Sequence, residues 1–273
     1  MRSAFAIFEL TLIYTLGFGI VKINFPSALN FVYICPDTMI KYCHMSTFGI
    51  KEQFRGPAVI VATGLFLCFS ILFFMPAEIP HKITLPVATL ALASLWLCPW
   101  QISAALIFSA AGDYMGSCGN FLWQMIFFAL GHIFYIVYFI GRYLRNDMKM
   151  TGRRKGYLVT IVICAAALLT FAFCRIIPQA FVKEGAMIGT GTGIYATLIC
   201  LMLVSALMQR SCLFALGAVL FVFSDFTLAW NKFISPVPYR DYLVLVTYFL
   251  AQWLIFARST GYRMHLASRH ARL

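Results

Sequence analysis

The sequence predicts an all-α protein, a polytopic bundle of transmembrane helices, and three observations carry that prediction. Of the 273 residues, 62% are hydrophobic and 11% charged, against roughly 25% charged in a soluble domain, so one water-facing globule could not hide this much apolar surface. Apolar runs recur along the chain at about the 20-residue length that crosses a hydrocarbon core. Those runs are continuous and lack the two-residue alternation of barrel strands, so the crossings are helical.

Nine runs qualify, at 3–22, 57–76, 83–99, 101–117, 120–141, 156–174, 187–208, 211–230 and 239–257. The first follows Arg2 and resembles a signal peptide, but Glu9 interrupts it and no small-x-small cleavage site follows, so it reads as a retained extra helix. Residues 23–56, with Pro26, Pro36 and Gly49, read as an irregular loop ahead of Pro57. "HKITLP" at 81–86 heads the third run, "QISAALIFSAAG" fills the fourth, and "NFLWQMIFFALGHIFYIVYFI" forms the fifth. "EGAMIGTGTGIY" opens the seventh; it lacks the Gly-Lys-Ser/Thr ending of a phosphate loop, and Gly185, Gly189 and Gly193 are spaced for close helix contact. Most connections are short, which gives one eight-helix core at 57–258, preceded by the helix and loop of 1–56 and followed by a basic tail at 259–273.

The formal charge of +12 would suggest nucleic acid in a soluble protein, yet here the basic residues are confined to loops, span ends and tails. With nine crossings, the loops at 22–56, 142–155 and 209–210 and the tail from 258 share one side and hold 15 of the 21 Lys and Arg residues. The positive-inside rule makes that side cytoplasmic, with the N-terminus outside and the C-terminus inside, an arrangement that suits a bacterial inner membrane. Six of the nine cysteines (Cys68, Cys98, Cys164, Cys174, Cys200 and Cys212) lie in spans or at their ends, where they act as small apolar residues. Cys35 and Cys43 fall in the first, cytoplasmic loop, and with no CxxC pair neither a zinc ribbon nor a redox motif is supported.

Of the nine acids, Glu9, Asp113 and Asp225 fall inside apolar segments. A charge at that depth costs on the order of 3 kcal/mol or more and usually faces a cavity used for transport or reaction. Asp113 follows "IFSAAG" and Asp225 follows "FVFS", each well along its span. An even number of reversals separates these two helices, so they run in the same direction and carry their carboxyls to similar depth. Two acids meeting in a low-dielectric cavity do not readily both ionise; one acid and one carboxylate are the pairing used by hydrolysis through an oxocarbenium-like transition state. Few other polar groups lie within spans: His132 with Tyr135 on the same face at i+3, Tyr195, Ser109, Ser224 and Gln252. Only one of the five histidines, His132, lies in a span, so a three-histidine zinc site at membrane depth is unavailable; Asp113, Asp225 and His132 together leave metal binding as a weaker alternative. Lys82 sits on the same side as the aspartates and offers either a phosphate anchor or a snorkelling interfacial lysine.

In order along residues 57–258, these pieces resemble the YhhN family of polytopic membrane proteins, whose characterised members are lysoplasmalogenases. The pieces are "HKITLP"; "FSAAGDYMG", which places Asp113; "FLWQMIFFALGHIFYIVYF", which places His132 and Tyr135; and "GAVLFVFSDFTLAWNKF" with "TYFLAQWLI", which place Gly217, Ala218, Ser224, Asp225 and Gln252. The chain departs from the family pattern at Gln124, where glycine is usual, and at "YMG" after the first Gly-Asp, where leucine is common. The resemblance implies hydrolysis of the vinyl ether bond of a lysoplasmalogen to a fatty aldehyde and glycerophosphoethanolamine or glycerophosphocholine. The residues themselves suggest Asp113 and Asp225 as acid and base, in either order, His132 and Tyr135 as groups orienting one of them or the water, and Lys82, Tyr195, Ser224 and Gln252 as candidate substrate-binding groups. No cofactor or metal is called for, since protonation makes the electrophile; the partners are the lysophospholipid and bilayer lipid, and not nucleic acid. A proton-coupled transporter or lipid-binding protein using the same aspartates is the rival reading. An ester or amide hydrolase is disfavoured by the absence of a Gly-x-Ser-x-Gly elbow.

Overall fold

The computed structural model describes residues 55–76, 78–145, 152–209 and 211–270. The expected helix at 3–22 and the loop after it lie outside these residues, apart from residues 55 and 56. The chain divides into two compact units, Met1–Ala58 and Val59–Leu273, and almost all the described residues belong to the second. Among them every regular element is helical: α1 (Arg55–Phe74), α2 (Thr84–Leu97), α3 (Trp100–Ser117), α4 (Phe121–Arg145), α5 (Gly152–Phe171), a π-helical turn (Ala172–Ile176), α6 (Ile177–Leu207), α7 (Cys212–Phe233) and α8 (Arg240–His270).

Local chemistry sets the boundaries. Pro99 drives Cys98 out of the helical region, to φ −114° and ψ 164°, and so separates α2 from α3. Gly119, with φ +75°, turns the chain after α3, and Asn120 caps α4 by accepting the Trp123 N–H at 3.3 Å. The sequence leads one to expect a loop between 174 and 187, but the chain remains helical there. Pro178 has no N–H for the carbonyl four residues back, and the preceding turn widens so that the Ile177 N–H reaches Ala172 instead, an i to i−5 bond.

The reversal comes later, at Gly185, whose φ of 84° and ψ of 178° break α6. A Cβ on Gly189 would lie 2.4 Å from Phe181, and one on Gly193 would lie 3.6 Å from Ile177. Those pairs are symmetric about residue 185, as in two antiparallel helices joined at a hairpin. Helix α8 also continues as backbone to His270, beyond the expected end at 257.

Helices α2, α3, α4, α6, α7 and α8 each pack against the next, and α8 returns to α2, closing a ring. Glycines permit the closest approaches. A Cβ on Gly131 would stand 3.2 Å from the Ala105 carbonyl and 3.3 Å from Ser109 Oγ, so α4 lies almost on the α3 backbone; Gly217 meets the Ala251 carbonyl in the same way between α7 and α8. The two departures from the family pattern touch each other: Gln124 fills the space beside Gly116, where a Cβ would lie 2.6 Å from its amide. Outside the ring, α5 packs on α6 and α1 reaches α8 through Thr63 and Trp253, 3.3 Å apart.

The outer surface is apolar: Leu92, Trp96, Val182 and Met187 are each more than two-thirds exposed. Monomeric soluble proteins rarely present such surface over contiguous areas, and among the described residues five helical stretches are long and apolar enough to cross a membrane. This is an integral, multi-pass membrane protein.

Candidate active site

Two clusters of buried polar groups lie inside the ring. On α3, Asp113 is 2% exposed and accepts a hydrogen bond from Tyr248 Oη of α8 at 3.0 Å. One turn further along the same face of α8, Gln252 is fully buried, and its Oε1 accepts the Tyr135 hydroxyl of α4 at 2.5 Å.

The second cluster is built on Asp225 of α7. Tyr195 of α6 donates its hydroxyl to Asp225 Oδ2. His132 of α4 places Nε2 3.0 Å from Tyr195 Oη and 3.5 Å from the same carboxylate oxygen. Because the Tyr195 proton is directed at the carboxylate, its oxygen is left to accept, which puts the imidazole hydrogen on Nε2. His132 Nδ1 is buried with no hydrogen-bond partner among the described residues.

Phe221, one turn before Asp225, lies edge-on to rings from both clusters: His132 at 4.8 Å, Tyr248 at 5.4 Å and Tyr135 at 6.4 Å between centroids. Phe221 thus joins the Asp113 and Asp225 clusters. Their depths also correspond, since Asp113 meets α8 at Tyr248 and Ser224, the neighbour of Asp225, meets it at Val244. Four residues of helix are about 6 Å, so along the bundle the two aspartates lie at depths within about one turn of each other.

They differ in access. Asp113 is sealed, whereas the Asp225 side chain is 12% exposed and opens on a cavity of 60 Å³ between α5, the π-helical turn, α6 and α7. Leu168, Ile176, Ile199, Val222 and Phe226 wall that cavity, and although Thr192, Tyr195 and Asp225 also line it, the surface that faces the cavity is apolar. Among the described residues, no group of three or more His, Cys, Asp or Glu side chains is placed to hold a metal ion.

Of the residues singled out from the sequence, Asp113, His132, Tyr135, Tyr195, Asp225 and Gln252 come together in these clusters. Ser224 instead donates to the Val244 carbonyl at 2.9 Å and ties α7 to α8. Lys82 lies in the turn before α2, where its Nζ donates to the Met75 carbonyl at 2.9 Å; neighbouring His81 is 2.7 Å from Ser117 at the end of α3, so Lys82 shares the end of the bundle toward which Asp113 lies. Sequence reasoning missed Tyr248 and Phe221. Tyr248 had a readable signal, its i, i+4 spacing from Gln252; Phe221 had none, being one of 27 phenylalanines.

A ring of membrane helices holding two interior aspartates, each bonded to a tyrosine, defines an integral membrane protein with a buried carboxylate site. The profile of the YhhN family matches residues 79–259, which include every site residue named above, and the chain belongs to that family. The bovine (Bos taurus) lysoplasmalogenase TMEM86A is 31% identical over 216 residues, 69% of this chain and 82% of the relative. Its human (Homo sapiens) counterpart is 27% identical over 220 residues with the same coverage. The rat (Rattus norvegicus) lysoplasmalogenase TMEM86B is 27% identical over 174 residues, 61% of this chain and 65% of the relative. No solved structure is a significant match.

Proposed function

We propose that this protein is a membrane hydrolase that cleaves the vinyl ether bond of lysoplasmalogens, releasing a fatty aldehyde and glycerophosphoethanolamine or glycerophosphocholine. The relatives named lysoplasmalogenase support this substrate class. The observation that carries the chemistry is Asp225, held by Tyr195 and His132 at the wall of an apolar cavity, with a second buried carboxyl near it.

The two carboxyls divide an acid and a base between them. A protonated carboxyl gives its proton to the β-carbon of the vinyl ether, and the remaining cation is an oxocarbenium ion. The other, as carboxylate, balances that positive charge, and a proton passes to it from the water that adds to the α-carbon. The resulting hemiacetal passes its hydroxyl proton to the glycerol oxygen as the carbon–oxygen bond breaks, and one water has been consumed. Tyr195 and His132 orient Asp225, Tyr248 orients Asp113, and Tyr135 and Gln252 complete the Asp113 cluster one turn along α8.

In the same reading the described helices cross the bilayer eight times, the stretches 152–184 and 186–207 counting as two crossings. The basic end bearing Arg142 and Arg258 faces the cytoplasm, with the C-terminus, as in a bacterial inner membrane. The catalytic core is 57–258, flanked by 1–56 and the tail 259–273.

The test is aldehyde release by the purified protein in detergent from a defined lysoplasmalogen, beside the matched ester lysophospholipid, each with and without chelator. Aldehyde from the vinyl ether alone, indifferent to chelator, is the expected result. Equal cleavage of the ester, or no aldehyde from either lipid, would refute the assignment.

A further inference from the structure

Two turns along α7 from Asp225 stands a second ionic group. Lys232 Nζ lies 3.0 Å from Glu184 Oε1, the side chains being 28% and 39% exposed, and the same ammonium sits 4.5 Å over the ring of Phe121. Seven helical residues rise about 10.5 Å and return to nearly the same face, so Lys232 lies in line with Asp225. Phe226 and Ala229, which lie between them on that face, are walls of the Asp225 cavity. Glu184 reaches this line because the chain reverses at the next residue, Gly185.

From the Val222 end of the cavity, past Asp225 and the wall at Phe226 and Ala229, α7 leads to a pair of opposite charges. That sequence of chemistries is the sequence found along a single-chain zwitterionic phospholipid: hydrocarbon, ether, phosphate and ammonium. We infer that Lys232 and Glu184 form a head-group subsite, Lys232 taking the phosphate and Glu184 the ammonium, with the chain along the cavity wall and its ether bond at Asp225. The identity of the bond at Asp225 rests on the hydrolase reading; the head-group contacts do not. The spacing suits the ligand, since a glycerol unit spans roughly 6 Å at ordinary bond lengths and the lysine side chain bridges the remainder. Opening the existing ion pair costs little, because partly exposed pairs contribute little to stability, and the zwitterion returns an opposite charge to each member. Ala172 and Ala196, small residues beside Asp225, leave the cavity its width, and the π-helical turn set by Pro178 supplies one wall.

The subsite is tested by calorimetric binding of three saturated ether probes, which lack the vinyl bond and are not turned over by this chemistry. They are 1-O-alkyl-lysophosphatidylethanolamine, its choline counterpart and 1-O-alkylglycerol, titrated into wild type, Lys232→Gln, Glu184→Gln and Lys82→Gln, each first shown to unfold at the wild-type temperature. Lys232→Gln is expected to weaken both phosphate-bearing probes at least tenfold and alkylglycerol by less than twofold. Glu184→Gln is expected to weaken the ethanolamine probe at least threefold more than the choline probe, whose quaternary nitrogen donates no hydrogen bond. With lysoplasmalogen as substrate, Lys232→Gln should raise KM far more than it lowers kcat. The inference is overturned if Lys232→Gln weakens alkylglycerol as much as the phospholipids, if it leaves the phospholipids within twofold, or if the tenfold loss appears in Lys82→Gln instead. Lys232-dependent binding without aldehyde release would keep the subsite and remove the hydrolase reading; aldehyde release indifferent to Lys232 would do the reverse.

Discussion

Replacing Tyr195 with phenylalanine removes one hydroxyl and keeps the ring that lines the cavity. That hydroxyl donates to Asp225 and receives His132 Nε2 at 3.0 Å, so its loss unties the carboxylate from its nearest donor. A hydrogen bond to a charged group contributes about 1.5–3 kcal/mol, which at 1.36 kcal/mol per factor of ten is about 10- to 150-fold in kcat/KM. His132 already stands 3.5 Å from the same oxygen and can close on it, so the loss should fall in the lower part of that range, about 10- to 30-fold. The assay is aldehyde release from a defined lysoplasmalogen across a substrate range, with thermal unfolding of the same preparation as the control. A variant that unfolds at the wild-type temperature and keeps kcat/KM within twofold would refute the role given to this hydroxyl.

Three further substitutions test the scaffold by thermal unfolding in detergent. Gly131→Val places its side chain 3.2 Å from the Ala105 carbonyl and against Ser109; overpacking of this kind costs about 1–3 kcal/mol and should lower the unfolding temperature markedly, whereas an unchanged temperature would contradict the close α3–α4 approach. Gly185→Ala forces a side chain onto a φ of 84° with ψ of 178°, a region that costs residues other than glycine of order 1–3 kcal/mol; a neutral result would contradict the hairpin. Ser224→Ala deletes the bond to the Val244 carbonyl and should destabilise by about 0.5–1.5 kcal/mol; no loss would remove its role as the α7–α8 tie.

The sequence was most legible where the bilayer imposes the rule. Uninterrupted apolar length placed α2, α3, α4 and α7 within a few residues of their ends, because a membrane helix must satisfy its own backbone. The same rule exposed Asp113 and Asp225, whose charge has no other reason to sit among phenylalanines. It was silent on the connection after 174, where Pro178 widens a turn rather than ending the helix and the reversal waits for Gly185. Partner identity was the other blind spot. Tyr195 was one polar residue among several until the fold set it against Asp225, and Tyr248 looked like any aromatic of a span until α8 crossed α3. Ser224, adjacent to the aspartate in sequence, points along a different radius of α7 and finds a backbone carbonyl instead.

The proposed chemistry is exposed most directly by running the reaction in deuterated water with Asp113→Asn and Asp225→Asn beside the wild type, and reducing the aldehyde as it forms. Protonation at the β-carbon predicts one solvent deuterium on the carbon next to the aldehyde carbonyl, and release that collapses in both variants while both remain folded. Aldehyde without that deuterium, or full turnover by both variants, would contradict the two-carboxylate mechanism.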